Sequence, residues 1–129
     1  MKKNGILNRD ISSVLAKMGH TDTIAIADCG LPIPDHIPCI DLTIRQGMPS
    51  FIDVLDAVLE DMAVERLVLA DEIKQNNEQI NHYITKKNIS ISYMSHELFK
   101  QQLSNVKAII RTGENTPYAN VILQSDVIF

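Results

Sequence analysis

Two side chains that can move protons at cellular pH bracket one short apolar run near the amino terminus: His20, directly after Gly19, and Asp28, directly before Cys29-Gly30. A histidine with an ordinary pKa near 6.5 can both give and take a proton, and a carboxylate can orient it or serve as partner base. Elsewhere Ser95-His96-Glu97-Leu98-Phe99-Lys100 puts an imidazole and an ammonium four residues apart, on one face if the segment is helical. His96 would then sit in the first turn, where free backbone N–H groups suit an anion or a hydroxyl oxygen. In the run Arg111 to Asn120, Tyr118 and Asn120 are two apart and would share one face of a strand, with Ala119 and Val121 facing the other way. A ring beside an amide that donates and accepts suits a ligand rich in hydroxyl groups. Each group also has a plain reading: a helix end and a turn for His20 and Asp28, a solvated helix for His96, an edge strand after a polar loop for Tyr118.

The segments that must position these residues are readable from periodicity. Asn8 is a helix cap before Arg9 to Lys17, with Ile11, Val14, Leu15 and Met18 on one face, and Gly19 is expected to stop that helix. Thr23 to Ala27 has the length and branching of a buried strand. On a straight strand His20 and Asp28 would be roughly 25 Å apart, so they can meet only if the chain folds back or a second copy contributes. Gly30 and Pro32-Ile33-Pro34 then turn the chain, and Ile37 to Ile44 reads as the next strand. Ser50 and Asp53 approximate a capping box for a helix with an apolar stripe of Phe51, Leu55, Val58, Leu59 and Met62. Val64 to Ala70 reads as a strand covered on both faces, although Glu65 and Arg66 interrupt it. A polar helix over 76–86, a half-buried strand through Ile89, Ile91 and Tyr93, and a short helix capped by Ser95 follow. Strands at Val106 to Arg111 and Ala119 to Leu123 complete the pattern. Strands alternating with helices predict one three-layer α/β/α domain over 1–129, with a mostly parallel or mixed sheet.

With 129 residues, 45% hydrophobic and 22% charged, the composition is that of an ordinary globular domain. A net charge of −4 without a Lys/Arg cluster argues against nucleic acid as a partner. Lys2 and Lys3 are followed by no continuous apolar region of the signal-peptide kind, and no run approaches the ~20 residues that span a bilayer. The expected location is therefore the cytoplasm, with no membrane partner. Cys29 and Cys39 form no C-x-x-C pair, and with His36 they would supply only three of the four ligands of a structural zinc site. They are read as reduced thiols, with no metal. The absence of G-x-S-x-G, a P-loop and G-x-G-x-x-G leaves serine hydrolase, nucleotide hydrolase and dinucleotide oxidoreductase chemistry without support.

Several stretches, in order and across nearly the whole chain, resemble the D-ribose pyranase / fucose mutarotase family. They are Lys3 to Asn8, Gly19-His20-Thr21-Asp22, Ala27-Asp28, Gly30 to Pro34, Ile40-Asp41-Leu42, Arg111 to Glu114 and Pro117 to Asn120. Cys29 stands where the family commonly has a small residue, and His36 lies in a variable turn; neither touches a matched polar position. The resemblance implies cofactor-free interconversion of the pyranose and furanose forms of D-ribose. It implies His20 as proton donor, with Asp28, His96, Tyr118 and Asn120 binding the sugar. It also implies assembly into a ring, commonly a decamer, whose pockets draw on neighbouring subunits. Lys100, one turn beyond His96, is a further candidate for a hydroxyl contact. The alternatives are a non-catalytic sugar-binding accessory of ribose uptake and a mutarotase acting on fucose or another sugar.

Overall fold

The computed structural model describes all 129 residues. In chain order the elements are α1 (Arg9–Lys17), β1 (Thr23–Ala27), β2 (Cys39–Asp41), α2 (Phe51–Asp61), β3 (Val64–Ala70) and α3 (Ile73–Asn76). They continue with α4 (Glu78–Thr85), β4 (Ser90–Met94), α5 (His96–Gln102), a 3₁₀ turn over Leu103–Asn105, β5 (Ile109–Arg111) and β6 (Val121–Ser125). The strands form one six-stranded sheet in the order β2-β5-β1-β6-β3-β4. Every ladder is parallel except the two on either side of β6, so the sheet is mixed with a single reversed strand near its middle.

Alternation along the central strands sends side chains to two separate cores. Ile24, Ile26, Leu67, Leu69, Val121 and Leu123 pack on one face with Ile11 of α1, Phe51, Leu55 and Val58 of α2 and Ile84 of α4. Ala25, Ala27, Val68, Ile109 and Ile122 pack on the other with Phe99, Leu103 and Val106. Helices therefore cover both faces, which is the expected three-layer architecture.

Local signals set the helix starts. Asn8 Oδ1 accepts from the N–H groups of Asp10 and Ile11 at 3.0 and 2.9 Å. Ser50 Oγ accepts from Asp53 N–H at 3.1 Å, and the Glu114 carboxylate takes the Phe51 N–H at 2.9 Å. This second cap comes from 63 residues away and is one that no local pattern announces.

The structure departs from the expected elements in five places. Of the segment Ile37 to Ile44 only Cys39–Asp41 forms the strand; Pro38 O and Leu42 N–H make its last bonds to β5, and Pro38 has no N–H to extend it. The helix expected over 76–86 is α4, which starts at Glu78 because the backbone of Asn77 (φ −150°, ψ 63°) is not helical and separates it from the short α3. The fifth strand begins at Ile109 rather than Val106, which instead closes the 3₁₀ turn. The last strand begins at Val121, so Tyr118 and Asn120 lie in the preceding turn and not on a strand face, and β6 is central rather than an edge. Lastly, α1 ends at an extended Met18 (φ −74°, ψ 133°); Gly19 serves the next turn instead, where its N–H meets the Asp22 carboxylate at 2.9 Å.

Candidate active site

The parallel strands β1, β3 and β4 end on the same side of the sheet, and antiparallel β6 begins there. This is the edge at which open α/β sheets bind ligands, since the loops leaving the strands diverge there and uncover backbone groups. Asp28 follows β1, Glu72 follows β3 by two residues, His96 follows β4, and Tyr118 to Asn120 lead into β6. Four of the predicted residues, Asp28, His96, Tyr118 and Asn120, are thus delivered to one end by topology alone.

Their contacts are specific. Asn120 is fully buried, and its amide closes a two-bond ring with Asp28. Asn120 Oδ1 accepts from Asp28 N–H at 2.8 Å, and Nδ2 donates to Asp28 Oδ2 at 3.0 Å. The other carboxylate oxygen, Oδ1, accepts from Gly30 N–H at 2.9 Å. The carboxylate is therefore aimed, with lone pairs left for hydroxyl groups. Tyr118 meets the His96 ring edge-on, with centroids 5.1 Å apart and planes at 84°. Its backbone sits at φ +57°, a left-handed conformation that a bulky residue holds only when its surroundings impose it. Those surroundings include Asn77, whose Nδ2 donates to Pro117 O at 2.8 Å and to Thr116 Oγ1 at 2.9 Å. The His96 N–H lies 3.0 Å from both oxygens of Glu72, and its ring Nδ1 is buried with no partner inside the chain.

Behind this end stands a second layer. Thr112 Oγ1 donates to Ala27 O at 2.8 Å, and buried Glu114 joins the start of α2 to Thr116 Oγ1, which donates to it at 2.8 Å. Arg111 spans Asp41 and the Cys29 carbonyl, fixing the strand end beside Asp28. The Thr43 N–H, aided by Arg111, holds the Asp41 carboxyl below its ordinary pKa. Gly113 has no room for a side chain, since a Cβ would lie 2.5 Å from Met48 N and 2.6 Å from Arg45 O. A cleft of about 280 Å³ lined by Asp28, Cys29, Gly30 and Glu114 to Pro117 opens beside the site. Lys100 lies one turn beyond His96, with its ammonium 2.7 Å from Glu97, whose carboxyl it holds below its ordinary pKa.

His20 is elsewhere. Its turn is tied to the far end of β6 by the Thr21 N–H donating to Ser125 O at 3.1 Å. Asn120, just before β6, and Ser125 at its end are roughly 17 Å apart at about 3.3 Å per residue. The exposed imidazole faces Glu65 at 3.7 Å and groups with Glu65 and Asp126. It lines a separate cleft of about 320 Å³ shared with Asp61, Asp126 and the carboxy-terminal Ile128 and Phe129. Thr21 beside it is also left-handed, at φ +71°. Within one chain the segment does not fold back, and His20 sits at the opposite end of the sheet from Asp28, His96, Tyr118 and Asn120. Cys29 and Cys39 are not bonded to each other, and the His36 ring faces Ser104 O at 3.4 Å.

The roles of Glu72, Asn77, Thr112, Glu114 and Glu65 were not read from the sequence. Glu114 and Arg111 lie in the matched stretch Arg111 to Glu114, which marked their position but not their contacts.

The RbsD / FucU transport protein family matches residues 1–128. The chain is 57% identical over 129 residues to D-ribose pyranase of Halalkalibacterium halodurans, covering all of both sequences. It is also 57% identical over 131 residues to D-ribose pyranase of Bacillus cereus, again with full coverage. Among solved structures it resembles Bacillus subtilis RbsD complexed with D-ribose, with a TM-score of 0.98, 48% identity and full coverage of both chains. It shares its fold with the fucose mutarotase of Streptococcus pneumoniae in complex with L-fucose, with a TM-score of 0.77, 23% identity and 95% coverage of each.

Proposed function

The chain belongs to the RbsD / FucU transport protein family, and on that premise we propose that it catalyses the interconversion of the pyranose and furanose forms of D-ribose. The observation that carries this reading is the meeting of Asp28, Asn120, Tyr118 and His96 at the carboxyl end of the parallel strands. It is joined to 57% identity, over the full length, with D-ribose pyranases. These residues hold the sugar: the Asp28 carboxylate, aimed by buried Asn120, takes hydroxyl groups, and His96 lies beside it. Tyr118 walls the pocket beside the His96 ring.

The reaction needs two proton positions and no redox change. Opening the pyranose removes the proton of the anomeric hydroxyl while the ring oxygen gains one and its bond to C1 breaks, leaving the open-chain aldehyde. Closing to the furanose lets the 4-hydroxyl attack C1. That hydroxyl loses its proton, and the carbonyl oxygen regains one. His20 is the acid that protonates the ring oxygen, and Asp28 or a bound water takes the anomeric proton. General acid–base help of this kind is worth about 10²–10⁴-fold.

Because His20 stands at the other end of the sheet, the complete site joins the His20 end of one copy to the Asp28 end of another. A ring-shaped homo-oligomer, commonly a decamer in the family the sequence resembles, supplies such junctions. No helix of the structure is long and apolar enough to cross a membrane. We place the enzyme in the cytoplasm, where its two thiols stay reduced.

NMR saturation transfer on D-ribose with catalytic amounts of protein tests the reading. Transfer between pyranose and furanose signals with the wild type, lost in His20→Ala, supports it. Ribose binding without any transfer would instead make the protein a sugar-binding accessory of uptake. Transfer on L-fucose that exceeds transfer on ribose would move the substrate.

A further inference from the structure

The end of the sheet that carries His20 has an irregularity whose consequence is chemical. Strand β3 pairs with β6 in register from Leu69↔Val121 to Arg66↔Gln124, then slips, so that Val64 faces Ser125 and Glu65 is the extra residue of a bulge. Bulges turn a side chain away from where strand alternation would send it. Two consecutive side chains of β3 therefore reach the same partner. Arg66 Nη2 donates to Gln124 Oε1 at 2.8 Å, and Gln124 Nε2 donates to Glu65 Oε2 at 2.6 Å. Since a guanidinium only donates and a carboxylate only accepts, this pair of contacts also sets which way the Gln124 amide faces. The same Glu65 oxygen is the one that faces His20 Nε2 at 3.7 Å.

The backbone holding the imidazole is pinned as well. The Gly19 N–H donates to Asp22 Oδ2 and the Asp22 N–H to Gly19 O, closing a turn around His20, and Thr21 is held in the left-handed region by its bond to Ser125. A ring on a pinned backbone, with a fixed carboxylate 3.7 Å from Nε2, turns one nitrogen toward that charge and leaves the other presented. A carboxylate beside one nitrogen favours the tautomer that keeps the proton there.

We propose that Glu65, turned out by the β3 bulge and anchored through Gln124 and Arg66, is the positioning residue for His20, holding Nε2 so that Nδ1 exchanges the proton with the sugar. The inference rests on His20 being the acid. In the forward step the imidazolium gives its Nδ1 proton to the ring oxygen and becomes the neutral Nε2–H tautomer; the 4-hydroxyl returns a proton to Nδ1 as the furanose closes. Asp126 and Asp61 line the same cleft but lack the bracing amide.

The test uses the full-length protein labelled with ¹³C,¹⁵N-histidine, with the His20 ring assigned by its loss in His20→Ala, since the chain has 4 histidines. Above its titration midpoint, wild-type His20 should be the Nε2–H tautomer, with Nδ1 bare. In Glu65→Ala the tautomers should mix and kcat for ribose exchange should fall about fivefold with KM unchanged, the scale of an exposed charge pair. Glu65→Asp should recover part of the loss. A wild-type His20 protonated at Nδ1 overturns the proposal whether or not the variants assemble. So does a Glu65→Ala enzyme with normal kcat while His20→Ala is inactive, a result that leaves the acid assignment intact. Full activity in His20→Ala instead removes the acid assignment and this proposal with it.

Discussion

Replacing Asn120 by Asp tests the pairing at the sugar end with almost no change of shape. Asn120 is fully buried, and its Nδ2 lies 3.0 Å from Asp28 Oδ2. In Asn120→Asp one oxygen still accepts the Asp28 N–H, but the other faces a carboxylate oxygen across that same gap. Two unit charges at this distance repel by about 5 kcal/mol at an effective dielectric of 20. Asp28 is half-exposed, so solvent screening brings the cost to roughly 2–3 kcal/mol. The strain is relieved when the pair holds a single proton, which then bridges the two oxygens. The sign follows: the variant pair has a carboxyl pKa raised in the folded state, so the deficit is absent below the ordinary carboxylate range and grows as pH rises through the raised value. At pH 8 the variant should unfold at lower urea and bind ribose at least tenfold more weakly, and both defects should shrink toward pH 5. Urea unfolding and ribose titration at matched protein concentration from pH 5 to 8 provide the readout. A deficit of equal size across that range, or none at pH 8, would falsify the assignment of Nδ2 as donor to Asp28.

Other consequences are simpler to state. Gly113→Ala forces a methyl group onto the backbone of Arg45 and Met48 and strains the Gly113 N–H···Pro49 bond. It should cost about 3 kcal/mol in urea unfolding, against well under 1 kcal/mol for a substitution at exposed Gly30, where a Cβ has room. The Asp22 carboxyl is held below its ordinary pKa chiefly by the Gly19 N–H, so the His20 turn is supported above about pH 4 and released as pH falls through the depressed value. The Gly19 amide signal should therefore shift in that acid range for wild type and stay flat in Asp22→Asn. If the site joins two copies, His20→Ala and Asp28→Ala proteins, each inactive, should regain roughly a quarter of the wild-type exchange rate when unfolded together and reassembled. No recovery in an oligomer of normal size would mean that each chain completes its own site.

Elements whose cause is local were legible. Asn8 caps α1 with its own side chain, and the short run Thr23 to Ala27 with its β-branched residues defines β1, so their bounds, and those of β3, follow from the residues themselves. What failed depends on distant partners. Tyr118 was expected on a strand because its spacing to Asn120 is two, but Asn77 bonds to Thr116 and Pro117 and the left-handed φ break that strand before Val121. Asn77 also sets the start of α4 two residues later than the polar periodicity places it. Among the site residues, types and spacing gave only polar candidates, and the resemblance supplied their roles. Glu65 shows the limit most clearly: in the sequence it is an interruption in an apolar run, and its bulge arises only where β3 meets β6, 59 positions further on at Gln124.

The reversed strand explains why this chain divides its chemistry. In an all-parallel sheet the amino ends of the strands carry little beyond their connections, and the carboxyl ends hold the site. Here β6 runs the other way, so one short strand brings Tyr118 and Asn120 to the end that carries Asp28 and His96, and Gln124, Ser125 and Asp126 to the end that carries His20. Those last residues tie down His20 through Thr21 and brace Glu65. Both ends are thus rigid parts of one sheet, and no loop movement within the chain can carry an imidazole across it. If His20 is the acid, as proposed, the distance to the Asp28 group has to be closed by packing the His20 end of one copy on the Asp28 end of another. Exchange activity should then depend on the quaternary contact as strictly as on either histidine or carboxylate.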